Sequence, residues 1–219
     1  MDACEGDGTW HCHVAAPPDP NDTGTCTMQI IPAQNHKIMV WKNGGGETRE
    51  IAVFPANAGL ADFDWRISTA YVVFDGPFSP FPGIDRTLAV LEGDGLGLKI
   101  EGRDMVVLTQ ASLPFSFSGD SGVDSGVSGE SITDLNVMTR RGRFSHSVER
   151  RHLAGEHAMA TCQATTALFC QNGRVRVETP DGPFDLGPFD TLMARAAGAP
   201  WTLIAEEPAT VYVIAIKAA

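Results

Sequence analysis

Three arginines stand on strand-like stretches of the first half of the chain: Arg49, Arg66 and Arg86. A guanidinium is a permanent cation whose planar fork meets a carboxylate through two parallel hydrogen bonds. An arginine cluster in a concave, partly apolar site therefore suits carboxylate recognition. In Asp62-Phe63-Asp64-Trp65-Arg66-Ile67-Ser68-Thr69 the residue types alternate, which puts Arg66 and Ser68 on one face of a strand and Trp65 and Ile67 on the other. Asp134 and Asn136 share a face in the same way within Asp134-Leu135-Asn136-Val137-Met138. Asn136 has the groups to read an amide or formyl end of a ligand, and Asp134 or Glu50 could orient an arginine or accept from a ligand N–H. A solitary strand arginine is commonly solvated or paired with a neighbouring carboxylate, so the recurrence of three is what points to a site. Trp41, Trp65 and Phe78 read as packing residues before stacking ones. Gly44-Gly45-Gly46 has neither the lysine of a phosphate loop nor the dinucleotide fingerprint, and reads as a sharp turn needing positive φ.

The elements that would position these residues are short strands. From Met28 onward, brief β-branched and apolar runs are separated by Gly, Pro and Asp, and helical periodicity is scarce. The candidates are 48–54, 62–73, 87–91, 96–101, 105–108, 131–139, 144–150, 158–162, 166–170, 175–179, 191–194, 202–205 and 210–216. Only 56–61 and the approach to Phe81 offer a turn of helix, and 126–129 reads as a surface loop. Many short strands with closely spaced turns predict an all-β barrel or sandwich. Two stretches echo each other: Val90-Leu91-Glu92-Gly93 and Phe169-Cys170-Gln171-Asn172-Gly173 each end on a glycine turn and lead to a later apolar run. That repetition suggests a duplicated β unit, 28–140 and 141–219, joined near 139–144.

Residues 1–27 are different. They carry five acidic residues, no Lys or Arg, and a Pro-, Asn- and Asp-rich second half, and they read as a disordered extension before Met28. Cys4, His11, Cys12, His13 and Cys26 fall there in no recognised zinc spacing. The start has no basic region followed by an apolar stretch, so no secretory signal is expected, and no apolar run is long enough to cross a bilayer as a helix. The cysteines are expected to be free thiols in a reducing cytoplasm, with Cys162 and Cys170 as small core residues. A net charge of −11 argues against a nucleic-acid partner.

Small barrels of this kind are often cupins, which hold a metal with a His-x-His pair and a glutamate placed before a closing glycine. With Gly93 as that glycine, Arg86 takes the glutamate position and Pro80 and Pro82 the histidine positions. With Gly173, the positions fall on Thr166, Cys162 and Ala160. Proline and arginine cannot ligate a metal, so a cupin of this sequence is expected to be metal-free and without a cofactor.

The segments Trp41-Lys42-Asn43-Gly44-Gly45-Gly46-Glu47-Thr48-Arg49-Glu50, Trp65-Arg66-Ile67-Ser68, Phe78-Ser79-Pro80-Phe81-Pro82-Gly83-Ile84-Asp85-Arg86 and Asp134-Leu135-Asn136-Val137-Met138 together resemble the HutD/Ves family over about residues 30–217. The resemblance implies a double cupin of the RmlC-like jelly-roll type, two fused β-barrel units with the second degenerate. It also implies a link to histidine utilisation, with binding of an acidic intermediate such as formylglutamate or urocanate. On this reading the ligand site comprises Trp41, Asn43, Thr48, Arg49, Glu50, Arg66, Ser68, Arg86, Asp134 and Asn136, and no catalytic residue is assigned. The expected partner is a small carboxylate, with a homodimer as one possible assembly and neither nucleic acid nor membrane. Two other readings stand beside it. One is a metal-independent isomerase or hydrolase, although His36, His146, His152 and His157 all lie outside the motifs. The other is an interaction module.

Overall fold

The computed structural model describes residues 27–161, 165–195 and 200–219. The expectations for the N-terminal extension, its Cys and His residues, and Cys162 lie outside them. In chain order the described strands are β1 (Thr27–Ile31), β2 (Lys37–Val40), β3 (Gly46–Phe54), β4 (Trp65–Val72), β5 (Gly76–Pro77), β6 (Ile84–Glu92), β7 (Gly95–Ile100), β8 (Val106–Leu108) and β9 (Phe115–Ser118). Then follow β10 (Val123–Ser128), β11 (Ile132–Arg140), β12 (Phe144–Met159), β13 (Thr165–Asn172), β14 (Val175–Thr179), β15 (Gly182–Leu186), β16 (Thr191–Arg195) and β17 (Trp201–Ala218). One turn of 3-10 helix, Ala33–Asn35, joins β1 to β2, and residues 56–61 form turns without a helix.

In the first half, a six-stranded sheet in the order β2-β3-β4-β11-β6-β9 faces a four-stranded sheet in the order β5-β10-β7-β8. Leu88, Val90, Leu96, Leu98 and Ile132 fill the space between them. The second half is one sheet, β1-β16-β13-β17-β14-β15, with β12 also paired to β17. Its interior holds Leu168, Val177, Leu192, Trp201 and Leu203, all of them buried. The outer face of the six-stranded sheet packs on this second sheet, with Ile67, Leu91, Leu135 and Val137 against Phe169, Tyr212 and Ile214. Strand alternation is the cause: Trp65 and Ile67 turn toward the second half, and Arg66 and Ser68 toward the first half's interior.

The paired turns expected at Gly93 and Gly173 are both present, joining β6 to β7 and β13 to β14 with φ of 91° and 76°. A Cβ at Gly93 would lie 2.3 Å from the Ser131 carbonyl oxygen, so the tight approach requires glycine. Cys170 is fully buried, as expected.

Four expectations are corrected. Residues 126–129 are no simple loop, because 126–128 belong to β10, where Gly126 pairs with Gly97 of β7. Two glycines facing each other remove the β-branched signal by which a strand is read. The segment 144–150 and the start of 158–162, residues 158–159, are joined in one strand, β12, with Gly155 at φ 77° in an irregularity of its pairing. Likewise 202–205 and 210–216 are one strand, β17, whose exposed Glu206-Glu207-Pro208 bulges out between Ala205 and Ala209. A bulge lets the chain carry a proline and two charges without breaking the sheet. Finally, β1 and β2, β5, β9 and β15 are strands with no counterpart among the predicted ones, and β1 lies in the sheet of the second half against β16.

Candidate functional site

The first half's interior is not completely filled. A cavity of about 820 Å³ opens between β3, β4, β11 and β6 on one side and the segment 74–81 on the other. Its floor follows from sheet register. Across β3, β4 and β11, Thr48 stands beside Ala70 and Asp134, and Glu50 beside Ser68 and Asn136. One row further on, Arg66 of β4 and Arg86 of β6 flank Met138 of β11. Neighbouring strands are roughly 4.8 Å apart, so the two arginine backbones are about 10 Å apart, and both side chains face the same space.

Four buried polar atoms on this floor have no hydrogen-bond partner within the protein: Arg66 Nη2, Arg86 Nε, Asp134 Oδ1 and Asn136 Oδ1. Two donate and two accept. Buried polar atoms are ordinarily partnered, because leaving one bare costs about 1–3 kcal/mol, more for a charged group. Arg66 is oriented by Glu50, whose Oε2 accepts from Arg66 Nε at 2.7 Å. Among the described residues, no carboxylate is bonded to Arg86. Its guanidinium lies 4.9 Å from the ring centre of Phe78, 5.2 Å from Phe117 and 5.6 Å from Phe81, a cation held by aromatic faces. Burial lowers Arg86 to about 10, partly offset by Asp134, so it remains a cation at neutral pH. Burial pushes Asp134 up to about 7, with Arg86 pulling it back.

The segment 41–50 forms the wall. Trp41 Nε1 donates to Thr48 Oγ1 at 2.8 Å, and Asn43 Oδ1 accepts from the Gly45 amide at 3.0 Å. A Cβ on Gly46 would stand 2.1 Å from the Tyr71 carbonyl oxygen, so glycine is required for β3 to pair with β4. Asn43 and Thr48 thus shape the cavity, and Trp41 adds an apolar face.

Of the ten residues expected at the site, Trp41, Asn43, Thr48, Arg66, Ser68, Arg86, Asp134 and Asn136 line this cavity. Glu50 acts through Arg66. Arg49 does not belong: its neighbours Thr48 and Glu50 turn inward, so it turns outward, half exposed, and bonds Glu47 Oε1 at 2.8 Å. The arginine pair is therefore Arg66 and Arg86. The cage of Phe81 and Phe117, Met138 between the arginines, and the rim residues Leu60 and Phe74 have no counterpart among the ten expected residues. The one available signal was the run of phenylalanines just before Arg86.

Metal ligation does not fit this cavity. Two guanidiniums occupy its floor, and among the described residues no group of three or more His, Cys, Asp or Glu is placed to hold an ion. Among the same residues, no helix is long and apolar enough to cross a membrane.

Two fused β units, one of them opening on a polar-floored cavity, define a double cupin. The fold alone is shared at 11% identity with a cupin barrel protein from Leptotrichia buccalis, with a TM-score of 0.53. The HutD family model matches residues 33–213, and the chain belongs to that family. It is 36% identical to Protein Ves of Citrobacter koseri over 176 residues, 80% of this chain and 83% of that one. Among solved structures, a conserved protein of unknown function from Pseudomonas aeruginosa PAO1 is 33% identical with a TM-score of 0.82, covering 87% of this chain and 99% of its own. HutD from Pseudomonas fluorescens SBW25 is 27% identical with a TM-score of 0.75, covering 88% and 100%.

Proposed function

We propose that this protein binds a small carboxylic acid in the first-half cavity and does so without a metal. In the family context, its ligand is an acidic intermediate of histidine degradation, formylglutamate-like or urocanate-like, and the bound state modulates histidine utilisation. One observation carries the binding role: the unpartnered atoms of Arg66, Arg86, Asp134 and Asn136 converge on a single cavity. Carboxylate oxygens satisfy the two guanidiniums, and an N–H on the same molecule satisfies the acceptors. The link to histidine rests on the family and on nothing in the cavity itself.

Thermal unfolding with N-formylglutamate or urocanate tests this. A ligand that binds only the folded protein stabilises it by about 2.7 kcal/mol at a hundredfold excess over Kd. Arg66→Ala and Arg86→Ala should each abolish the shift. Absence of any shift in the unaltered protein, or an undiminished shift in both variants, refutes the assignment. One observation favours catalysis as a second reading, since a carboxyl group held near 7 in a cavity is in the range of a general acid–base. Turnover of either acid, followed by NMR and lost in Asp134→Asn, would establish it.

A further inference from the structure

The cavity combines a floor of buried polar atoms with a mouth where a group of apolar side chains stands among the exposed Lys42, Asn43, Asp75 and Ser79. The four unpartnered polar atoms lie at the floor. At the mouth, Val40, Leu60 and Phe74 line the same cavity and are 74%, 55% and 64% exposed. These are three of the eight large hydrophobic side chains exposed among the described residues, and they come from three separate segments of the chain. Phe78 continues the apolar surface inward until it meets the Arg86 guanidinium. Single exposed apolar residues are ordinary, but a group of them rimming a cavity marks a binding surface. The size agrees. About 820 Å³ falls in the upper part of the range of roughly 300–1,000 Å³ that holds drug-sized ligands, more than a diacid of a few carbons fills.

We propose that the ligand class of this cavity is an amphipathic acid: a carboxylate head on Arg66 and Arg86, and an apolar, preferably planar, body that covers Val40, Leu60 and Phe74. The inference rests on the carboxylate reading above and narrows it. Charge complementarity fixes the head at the floor, where the two arginines among the described lining residues lie. The body then has one direction in which to extend, toward the mouth. Phe74 and Phe78 offer aromatic faces, so a flat ring gains contact there beyond its buried area. A small, wholly polar acid would satisfy the floor and leave the rim in water.

Calorimetric titration of the full chain with N-formylglutamate and N-benzoylglutamate separates the possibilities, because the two acids share one head and differ in the body. The benzoyl compound is expected to bind at least about tenfold more tightly, the scale of discrimination a hydrophobic pocket gives for an added apolar group. In a Leu60→Ser/Phe74→Ser variant, whose changes lie at exposed positions, that advantage should vanish while the formyl compound binds as before. Equal or weaker binding of the benzoyl compound overturns the amphipathic assignment and leaves the carboxylate reading intact. A benzoyl advantage that survives in the double variant also overturns it, because the body then contacts something other than the rim. If neither acid binds, the carboxylate reading falls and this inference falls with it.

Discussion

Asp134 offers the most direct test of the site's electrostatics. It is fully buried on the cavity floor, and burial raises its carboxyl group from an ordinary value near 3.8 to about 7. Below pH 3.8 it is protonated both folded and unfolded. Between 3.8 and 7 the unfolded chain releases the proton and the folded chain keeps it, so stability falls as pH rises. Above 7 both states are ionised and the loss is complete. At about 1.36 kcal/mol per pH unit, the wild type should lose about 3 kcal/mol between pH 5 and pH 8 from this group alone. Asp134→Asn keeps the shape and removes the titration. Urea unfolding of both proteins at pH 5, 6, 7 and 8 then gives a difference in which all other titrating groups cancel. That difference should move by about 3 kcal/mol in favour of the asparagine variant, most of it before pH 7. A flat difference would mean that Asp134 titrates as an ordinary carboxyl group. A movement in the opposite direction would mean that Arg86 holds it ionised, and the account of a desolvated, undercompensated floor would be wrong.

Binding of a carboxylate probe such as N-formylglutamate should weaken as pH rises through about 7, because an ionised Asp134 places a second anion beside Arg86; calorimetry should show this in the wild type and a flatter profile in Asp134→Asn. Arg66→Ala should cost about 3–5 kcal/mol of stability in urea, since it strands the largely buried Glu50 carboxylate, and Glu50→Gln in the same background should recover part of it. Arg49→Ala should change stability by no more than about 0.5 kcal/mol and leave the affinity for the probe unaltered, in keeping with its outward, half-exposed pair with Glu47. Gly46→Ala should cost about 2 kcal/mol or more, because the added methyl group meets the Tyr71 carbonyl and forces β3 away from β4.

Local alternation was enough to read the faces of β4 and β11. Arg66 and Ser68, and Asp134 and Asn136, share the sides expected of them, because neighbouring side chains on a pleated strand point oppositely whatever surrounds it. The same rule applied to β3 excludes Arg49, since Thr48 and Glu50 take the inward places. Strands whose evidence is mostly tertiary were not legible. Within β10, Gly126 has no side chain to show a pattern and pairs because β7 presents Gly97 opposite. In β12, residues 151–157 carry no strand pattern of their own and are extended because β17 runs beside them.

The order of residue types along the chain determined the all-β class, the paired glycine turns at Gly93 and Gly173, and the family, all of which depend on short-range pattern and motif spacing. Only the tertiary structure decided which arginines form a pair. Arg66 and Arg86 come from strands that do not pair with each other and are joined through Met138 of β11, so no local window of sequence contains their separation. Burial was decided there too. A carboxyl group such as Asp134 titrates near 7 because folding takes water from it, and the amount of water removed belongs to the assembled sheets and not to any stretch of chain.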